Sequence, residues 1–567
     1  MDILGPDVIQ HLAQWLPQQD LLHLALTNKS FYGLLHPKIY EVVVVDSSRT
    51  QFDDIFSDSC HEWFVYHEYP CEPTVIRTLY SITRFFKNLI ENPHYARYVT
   101  QFVVEENFPD VPELELNQYL SQILPHMSNI NVFSWSSLHY PIEAQLMSLF
   151  PNPDRLQTLW GNFRFSESGF PCAQFERLHN LGISNFKKDK VLESIDMSSF
   201  ASIKTLTISK KTTGRRKSFT SQLETCCQSS LSSTIEPLSF SERPTFISSL
   251  FNSPLIEKLC LTSLHLKDIS LTRQDADSLR ENINLQTLEH LSLDNCVECL
   301  FENSSSFPNI NPSRRRHPPS ELFLEVLSPD LVSLKSLNLN LSNELCFNRV
   351  TVRTISQLHG LQKLSIHIKV FKTDEQVNLA PIVNALQTHA QSLVYLNLCC
   401  DIVESSVSVC PKKNFRYALK LVIGLSALTK LQVLKLPISY NQIADFPKLL
   451  SSLENLKILQ LGIAHSDCIP SKAACFGCDE YVLGSVNSLI SDDYFKCSTS
   501  FSTRMEVNKN QQYLQFSKIF RSMFENLKFL RFDLRNESLL YDVSDKMGIT
   551  AQNSSLQKFD MIVKMIV

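Results

Sequence analysis

The chain has 567 residues, with 53 lysines and arginines against 58 aspartates and glutamates, and 43% of its residues are hydrophobic. Only 12 residues are glycine, and neither G-x-G-x-x-G nor G-x-x-x-x-G-K-[ST] occurs, which argues against a nucleotide-dependent enzyme. No basic leader precedes an apolar run, and no uncharged apolar stretch of about 18 residues occurs, so we expect neither a secretory signal nor a membrane contact. The expected location is the cytoplasm, the nucleus or both, with the 16 cysteines mostly as free thiols.

Residues 3–41 predict three short helices. Pro6 suits the first turn of one helix, Pro17 ends it, Asp20 can cap the second and Asn28 can start the third. Three helices this short cannot bury all their large aliphatic side chains among themselves, so some should meet a partner. The apolar positions of the first helix are Val8, Ile9, Leu12 and Leu16.

The same segment resembles an F-box, the motif that joins a protein to the Skp adaptor of Skp, cullin and F-box ubiquitin ligases. The L-P-x-x-D-L-L core of that family stands at residues 16–22, and Phe31 occupies a position where the family often has tryptophan. The family opens with Leu-Pro, whereas Gly5 here separates the leucine from the proline. An alternative interpretation is a helical cap for the repeats that follow. The resemblance implies adaptor contacts by Leu4, Pro6, Val8, Ile9, Leu12, Leu16, Pro17, Asp20, Leu21, Leu22 and Leu24.

Residues 42–94 are expected to form a linking and capping region after this 1–41 segment, with a capped helix near 74–91. The apolar strand-like run that follows residue 41, this helix and the segment after it are similar to the junction of fungal F-box proteins with leucine-rich repeats. We therefore place the boundary of the repeat region at residue 95.

Residues 95–567 are dominated by an internal repeat. The string L-x-x-L-x-apolar occurs twelve times in the chain, about three times as often as its leucine content predicts. Each L-x-L segment predicts a short strand with alternate residues pointing inward, and stacked units would share one core. The pattern resembles the leucine-rich repeat family in a degenerate form. The expected fold class is therefore α/β, with a three-helix F-box followed by an irregular solenoid whose parallel strand ladder has helices and loops on its convex side.

Insertions are expected near 209–246, 303–320 and 463–513, where the repeat spacing is too long. The third contains a weak candidate for a zinc site, although its spacing fits no common zinc finger and free thiols are the simpler interpretation. Cys296 follows a strand where such repeats place asparagine or cysteine to satisfy backbone groups, so we expect a structural role for it. The candidate zinc ligands are His465, Cys468, Cys475, Cys478 and Cys497.

The strand positions out of phase with the leucines should form an exposed concave face. Hydroxyl and amide groups dominate it, with no stripe of basic and aromatic residues, so we expect a protein partner and no nucleic acid. Ser134, Ser184 and Thr207 share this position. The expected substrate contacts are Ser292, Asp294, Asn338, Asn340, Ser365, His367, Asn397, Lys435, Arg531 and Asp533.

Nothing in the sequence assigns a catalytic residue or a cofactor. The resemblance implies a non-catalytic substrate-receptor subunit of an SCF-type ubiquitin ligase, which binds the Skp adaptor, and through it a cullin, together with a protein substrate. The alternative left open is an F-box protein that binds the adaptor outside a cullin ligase and acts as a scaffold or inhibitor of a protein partner.

Overall fold

The computed structural model describes residues 5–45, 74–104, 113–135, 141–164, 175–210, 247–298, 322–341, 352–371, 380–403, 424–464 and 503–552, except 14, 17, 77, 187–189, 194, 252–254, 440–442, 444–445, 534–537 and 545–549. The described residues fall into two compact units, one up to Val326 and the other from Leu327 onward together with Glu289–Leu291. The predicted insertion 303–320 lies outside the described residues, as do 211–246 and 465–502 of the other two.

The first unit begins with three helices, α1 (Pro6–Ala13), α2 (Gln18–Thr27) and α3 (Lys29–Glu41). Asn28 caps α3 by accepting a hydrogen bond from the backbone N–H of Ser30 at 2.9 Å. Because α2 begins before Asp20, that carboxylate lies in the first helical turn and not at the cap. The shared core of the three helices consists of Ile9, Ala13, Leu21, Ala25, Leu35 and Ile39.

Further helices alternate with the strands along the chain. The helix predicted near 74–91 begins at Leu79, because residues 74–76 pair as a strand and Thr78 provides the cap. No helix in the described part of the chain is long and apolar enough to cross a membrane. The α-helices after α3 are Leu79–Glu91, Pro93–Ala96, Glu113–Ile123, Lys190–Glu193, Arg273–Asn282, Phe323–Leu327, 352–357, Ala380–Gln387, Phe446–Leu449 and Thr503–Met523.

The main strands of the first unit pair in parallel in the order β2, β1, β3, β4, β6, β8, β9 and β10, and the short strands β5 and β7 form a separate pair. The ladder therefore starts at residue 42, inside the segment expected to be a linker. The strands of this unit and the one leading out of it are β1 (Val42–Val45), β2 (Thr74–Ile76), β3 (Gln101–Val104), β4 (Val132–Trp135), β5 (Ile142–Glu143), β6 (Thr158–Gly161), β7 (Phe163–Arg164), β8 (Asn180–Phe186), β9 (Thr205–Lys210), β10 (Ser263–Lys267), β11 (Ser270–Leu271) and β12 (His290–Glu298).

The second unit repeats this arrangement with strands that pair in sequence order. β13 to β18 are parallel, and β19 and β20 close the ladder in antiparallel pairing. The fold is thus α/β, with long and mostly parallel ladders of the kind a solenoid uses. The strands are β13 (Ser336–Leu341), β14 (Lys363–Phe371), β15 (Tyr395–Val403), β16 (Val433–Ser439), β17 (Ile458–Ala464), β18 (Phe529–Asp533), β19 (Ser538–Asp542) and β20 (Thr550–Gln552).

The leucine pattern fixes the strand register. In the second unit the central leucine of each L-x-x-L-x-apolar string pairs with the same leucine of the next string, which produces a buried row perpendicular to the strands. Each side chain of this row is almost fully shielded from solvent. The row consists of Leu337, Leu364, Leu396, Leu434, Leu459 and Leu530.

Shared carbonyls satisfy many backbone groups in the turns that precede the strands. The carbonyl of Lys335 accepts the N–H groups of Gln362 and Lys363 at 2.8 and 2.9 Å, and the same double acceptance recurs from strand to strand. The buried thiol of Cys296 donates to the carbonyl of Leu266 at 3.4 Å, so Cys296 has a structural role, but it lies inside β12 and contacts β10 and does not follow the strand as predicted. Because shared carbonyls satisfy these backbone groups, the low glycine content is compatible with the fold.

Candidate functional site

Exposed apolar side chains concentrate on the N-terminal helices. Of the ten large hydrophobic residues that are exposed in the described part of the chain, six lie between residues 8 and 32. Scattered exposed hydrophobic residues are ordinary, but such a concentration marks an interaction surface. We call the following set the N-terminal apolar surface: Val8, Leu12, Trp15, Leu22 and Leu26.

Helical geometry explains how α2 presents this surface. Leu21 and Ala25 are buried against the other helices, whereas Leu22 and Leu26 follow each of them by one residue and lie about 100° further around the helix axis. Leu26 is 78% exposed and Leu22 37% exposed. The buried and exposed pairs are therefore separate faces of one helix.

In α1, Ile9 and Ala13 face the shared core, whereas Val8 and Leu12 precede them by one residue and are exposed. Trp15 continues this exposed side beyond the helix, is 71% exposed and makes an edge contact with His11. Both helices thus bury one pair of apolar side chains and expose another, which is more apolar surface than three short helices alone require.

The structure divides the described members of the predicted adaptor contacts into buried, half-buried and exposed side chains. Ile9 and Leu21 belong to the buried core, and Leu16 and Leu24 pack against it while half-buried. Leu4 and Pro17 lie outside the described residues. Sequence reasoning missed Trp15 and Leu26, although their spacing of three and four residues from Leu12 and Leu22 would have indicated them. The exposed members of the predicted set are Pro6, Val8, Leu12, Asp20 and Leu22.

A second candidate surface is a row of polar side chains on the non-core face of the second unit. The row crosses the strands through directly paired positions, so neighbouring side chains stand about 4.8 Å apart. The amide of Asn397 donates to the hydroxyl of Ser365 at 3.1 Å, and the Lys435 ammonium lies 5.7 Å from the centre of the Tyr395 ring. We call this set the polar row: Asn338, Ser365, Asn397, Lys435, Gln460 and Arg531.

The members of the polar row differ in accessibility. Arg531 is only 3% exposed, so this predicted substrate contact lies buried, whereas the other five members are half-buried. The sequence analysis did not predict Gln460. It lies between Leu459 and Leu461, just as Asn397 lies between Leu396 and Leu398. Register along the ladder is the signal that identifies it.

The remaining predicted substrate contacts lie beside or apart from this row. Asn340 pairs with His367 two residues further along the same strands, and both are half-buried. Ser292 and Asp294 belong to β12 in the first unit, where Asp294 forms an ion pair with Lys267 at 3.6 Å. The side chain of Asp533 lies outside the described residues.

At three strands of the first unit, the prediction of an exposed hydroxyl face is wrong. Ser134, Ser184 and Thr207 are 6, 3 and 6% exposed, so the non-core face is buried at these strands. The reason is that parallel strands in α/β folds are commonly covered on both faces. The first strands are apolar on both sides, and their non-core side forms a cluster of Val42, Val44, Val103 and Val132 with Val75 against it.

The candidate zinc ligands His465, Cys468, Cys475, Cys478 and Cys497 lie outside the described residues. Within the described residues, no group of three or more histidine, cysteine, aspartate or glutamate side chains is arranged to hold a metal ion.

No protein-family model matches the chain, and no curated protein matches its sequence significantly.

Proposed function

We propose that the protein is a substrate-receptor subunit of an SCF-type ubiquitin ligase. In this proposal the N-terminal apolar surface binds the Skp adaptor, and the polar row contributes to binding a protein substrate. The observation that carries it is the coincidence of two features: the segment 8–32, which contains the L-P-x-x-D-L-L string, also holds six of the ten exposed large hydrophobic residues of the described chain.

The apolar surface suits a stable protein contact. Burying a fully exposed leucine contributes about 1.5–3 kcal/mol, and Leu26 and Trp15 are largely exposed in the free chain. Large aromatic and aliphatic side chains at the centre of an interface carry most of its binding energy. Leu22, Leu26 and Trp15 are therefore the residues from which we expect the largest contribution.

The polar row suits a protein segment recognised by hydrogen bonds. Its accessible members offer amide, hydroxyl and ammonium groups, which pair with backbone and polar side chains. Holding the adaptor at one surface and the substrate at the other raises the local concentration of substrate near the ubiquitin-loaded enzyme that other subunits recruit. The chain itself then needs no catalytic group.

The adaptor contact is tested by Leu22→Asp combined with Leu26→Asp in the full chain. Both side chains are exposed, so the new charges leave the core of the three helices intact. A charge at the neighbouring Leu21, which is only 5% exposed, would disrupt that core. We expect each substitution to remove about 2 kcal/mol or more of adaptor binding. The measurement is the dissociation constant for purified adaptor, with circular dichroism as the folding check.

The matched control places the same charge at two other exposed aliphatic positions, Ile256→Asp and Val332→Asp, which are 103 and 62% exposed. We expect the control variant to bind the adaptor as tightly as the wild-type chain does. Unchanged binding in the α2 variant would exclude the N-terminal apolar surface as the adaptor site. Co-purification of the wild-type chain with adaptor and cullin supports the ligase, whereas adaptor without cullin supports the scaffold or inhibitor.

A further inference from the structure

Helix α3 continues into the strand ladder without a loop. Glu41 is the last helical residue and Val42 the first residue of β1. The carbonyl of Glu41 accepts both the backbone N–H and the hydroxyl of Thr100, at 2.9 and 3.0 Å. The hydroxyl of Thr74 donates to the carbonyl of Ile39 in the last turn of the helix. The end of α3 is thus tied to the first residue of β2 and to the residue before β3.

Tyr40 forms the centre of this joint. Its ring stacks on Tyr95 with centroids 5.3 Å apart and an interplanar angle of 23°, and on Phe85 at 6.1 Å and 19°. Its hydroxyl accepts a hydrogen bond from the side-chain amide of Asn88 at 2.7 Å. Phe85 and Asn88 lie on helix Leu79–Glu91 and Tyr95 on helix Pro93–Ala96. One side chain of α3 therefore contacts two separate helices that lie between β2 and β3 in the chain.

His36, one turn earlier in α3, widens the contact. Its ring lies 4.3 Å from that of Tyr95 and 3.9 Å from that of Tyr32, and the side chain is buried. Phe85 in turn stacks on Phe102 of β3, which belongs to the buried core. The aromatic contacts thus continue from α3 into the first strands. Aromatic pairs in offset and edge geometries resist reorientation because their energy depends on ring geometry.

We propose that Tyr40 is a positioning residue, which holds helices α1–α3 in one orientation on the first strands so that the N-terminal apolar surface and these strands move as one body. The consequence for ligase activity rests on the proposed function: an adaptor bound to α1 and α2 would stand at a fixed angle to the ladder. The rigid joint itself does not depend on the identity of the partner.

The experiment measures a distance distribution in the full chain. Paramagnetic labels are attached through unnatural amino acids at Gln10 in α1 and Gln122 in helix Glu113–Ile123, both exposed, since the 16 native cysteines preclude thiol labelling. The wild-type chain should give one narrow distribution. For Tyr40→Leu, which keeps apolar bulk but removes the ring and its hydroxyl, we expect the width to increase about twofold as the joint loosens.

Tyr40→Phe retains the stacked ring and should restore a narrow distribution, which distinguishes positioning from a general loss of stability. Tyr80→Leu is the matched control, because Tyr80 lies on the same helix as Asn88 but is 71% exposed. It should leave the distribution unchanged.

A broad distribution in the wild type, or an unchanged width in folded Tyr40→Leu, overturns the proposal. If Tyr40→Leu does not fold, Tyr95→Leu combined with Asn88→Ala removes two of the three contacts of Tyr40 from the opposite side and leaves the Phe85 stack. An unchanged width in that variant also overturns the proposal. No adaptor is present in these measurements, so failure of the proposed function would leave their result intact.

Discussion

At the scale of single residues, Gly182 shows how closely neighbouring strands of the first unit pack. It pairs with Trp160 on β6, and a methyl group at its Cα would lie 2.4 Å from the indole Cδ2 atom. Trp160 is 5% exposed, so the ring has no room to move outward without losing its burial. The absence of a side chain at Gly182 is what allows the indole to lie over the neighbouring strand.

We therefore expect Gly182→Ala to lower the free energy of unfolding by about 1–3 kcal/mol, since overpacking a filled core forces side chains and backbone apart. Gly33→Ala is the control, because Gly33 lies inside α3 with open space around its Cα. Alanine is the better helix former, so this variant should gain about 0.5–1 kcal/mol. Urea unfolding measures the change in stability of each variant. The same change in both variants would contradict the packing argument.

Adjacent leucines show what the sequence predicts at this scale and what it does not. The sequence predicts that Leu21 and Leu22 are apolar positions of the second helix, but one side chain is 5% and the other 37% exposed. Which of them faces inward depends on where α1 and α3 pack. That is a tertiary property, and no local pattern contains it.

At the scale of elements, strands were the most predictable part of the fold. The last four residues of each string begin one of the strands β13 to β18, because alternating leucines must share one face and the face sets the register. The strings are residues 334–339, 361–366, 393–398, 431–436, 456–461 and 527–532. The start of helix Leu79–Glu91 was less predictable. Residues 74–76 pair with β1 instead, and a strand partner about 30 residues earlier leaves no local signal.

The burial of side chains on the non-core face of the strands was also not predictable from the sequence. In the second unit Val433 and Ile458 stand out of phase with the leucine core, yet both are fully shielded and cluster with Leu540. Period-two alternation tells which residues share a face, but not whether another layer lies on that face. The exposed polar surface is therefore narrower than the alternation alone suggests.

For the polar row we expect Asn397→Ala combined with Gln460→Ala to weaken substrate binding about tenfold, because each lost hydrogen bond is worth about 0.5–1.5 kcal/mol. Both residues are half-buried members of the row on β15 and β17. The measurement is quantitative mass spectrometry of proteins that co-purify with the full chain. Adaptor recovery should not change.

Gln391→Ala is the control for this variant, because Gln391 is an exposed amide in the turn before β15 and not on the row. Equal recovery of every co-purifying protein from the row variant and from the control would show that the polar row makes no substrate contact.

At the scale of the whole molecule, each strand of a unit pairs with its immediate neighbours in the ladder, and each unit has its own leucine core. In such stacks, stability is close to a sum of local terms and nearest-neighbour interfaces. A cavity in one repeat should then weaken the flanking repeats far more than distant ones, which differs from the single cooperative transition of a small globular domain.

Leu396→Ala tests this nearest-neighbour behaviour. Leu396 is fully buried on β15 between Leu364 and Leu434, and its truncation should cost about 2–5 kcal/mol. We expect amide hydrogen exchange, measured by mass spectrometry on the full chain, to accelerate in β14, β15 and β16 and to stay unchanged in β3, β4 and β6. Leu206→Ala, in the equivalent core row of the first unit, should instead accelerate exchange in β8, β9 and β10. Equal acceleration in all these strands for both variants would mean that the chain opens as one cooperative unit, which a nearest-neighbour stack cannot do.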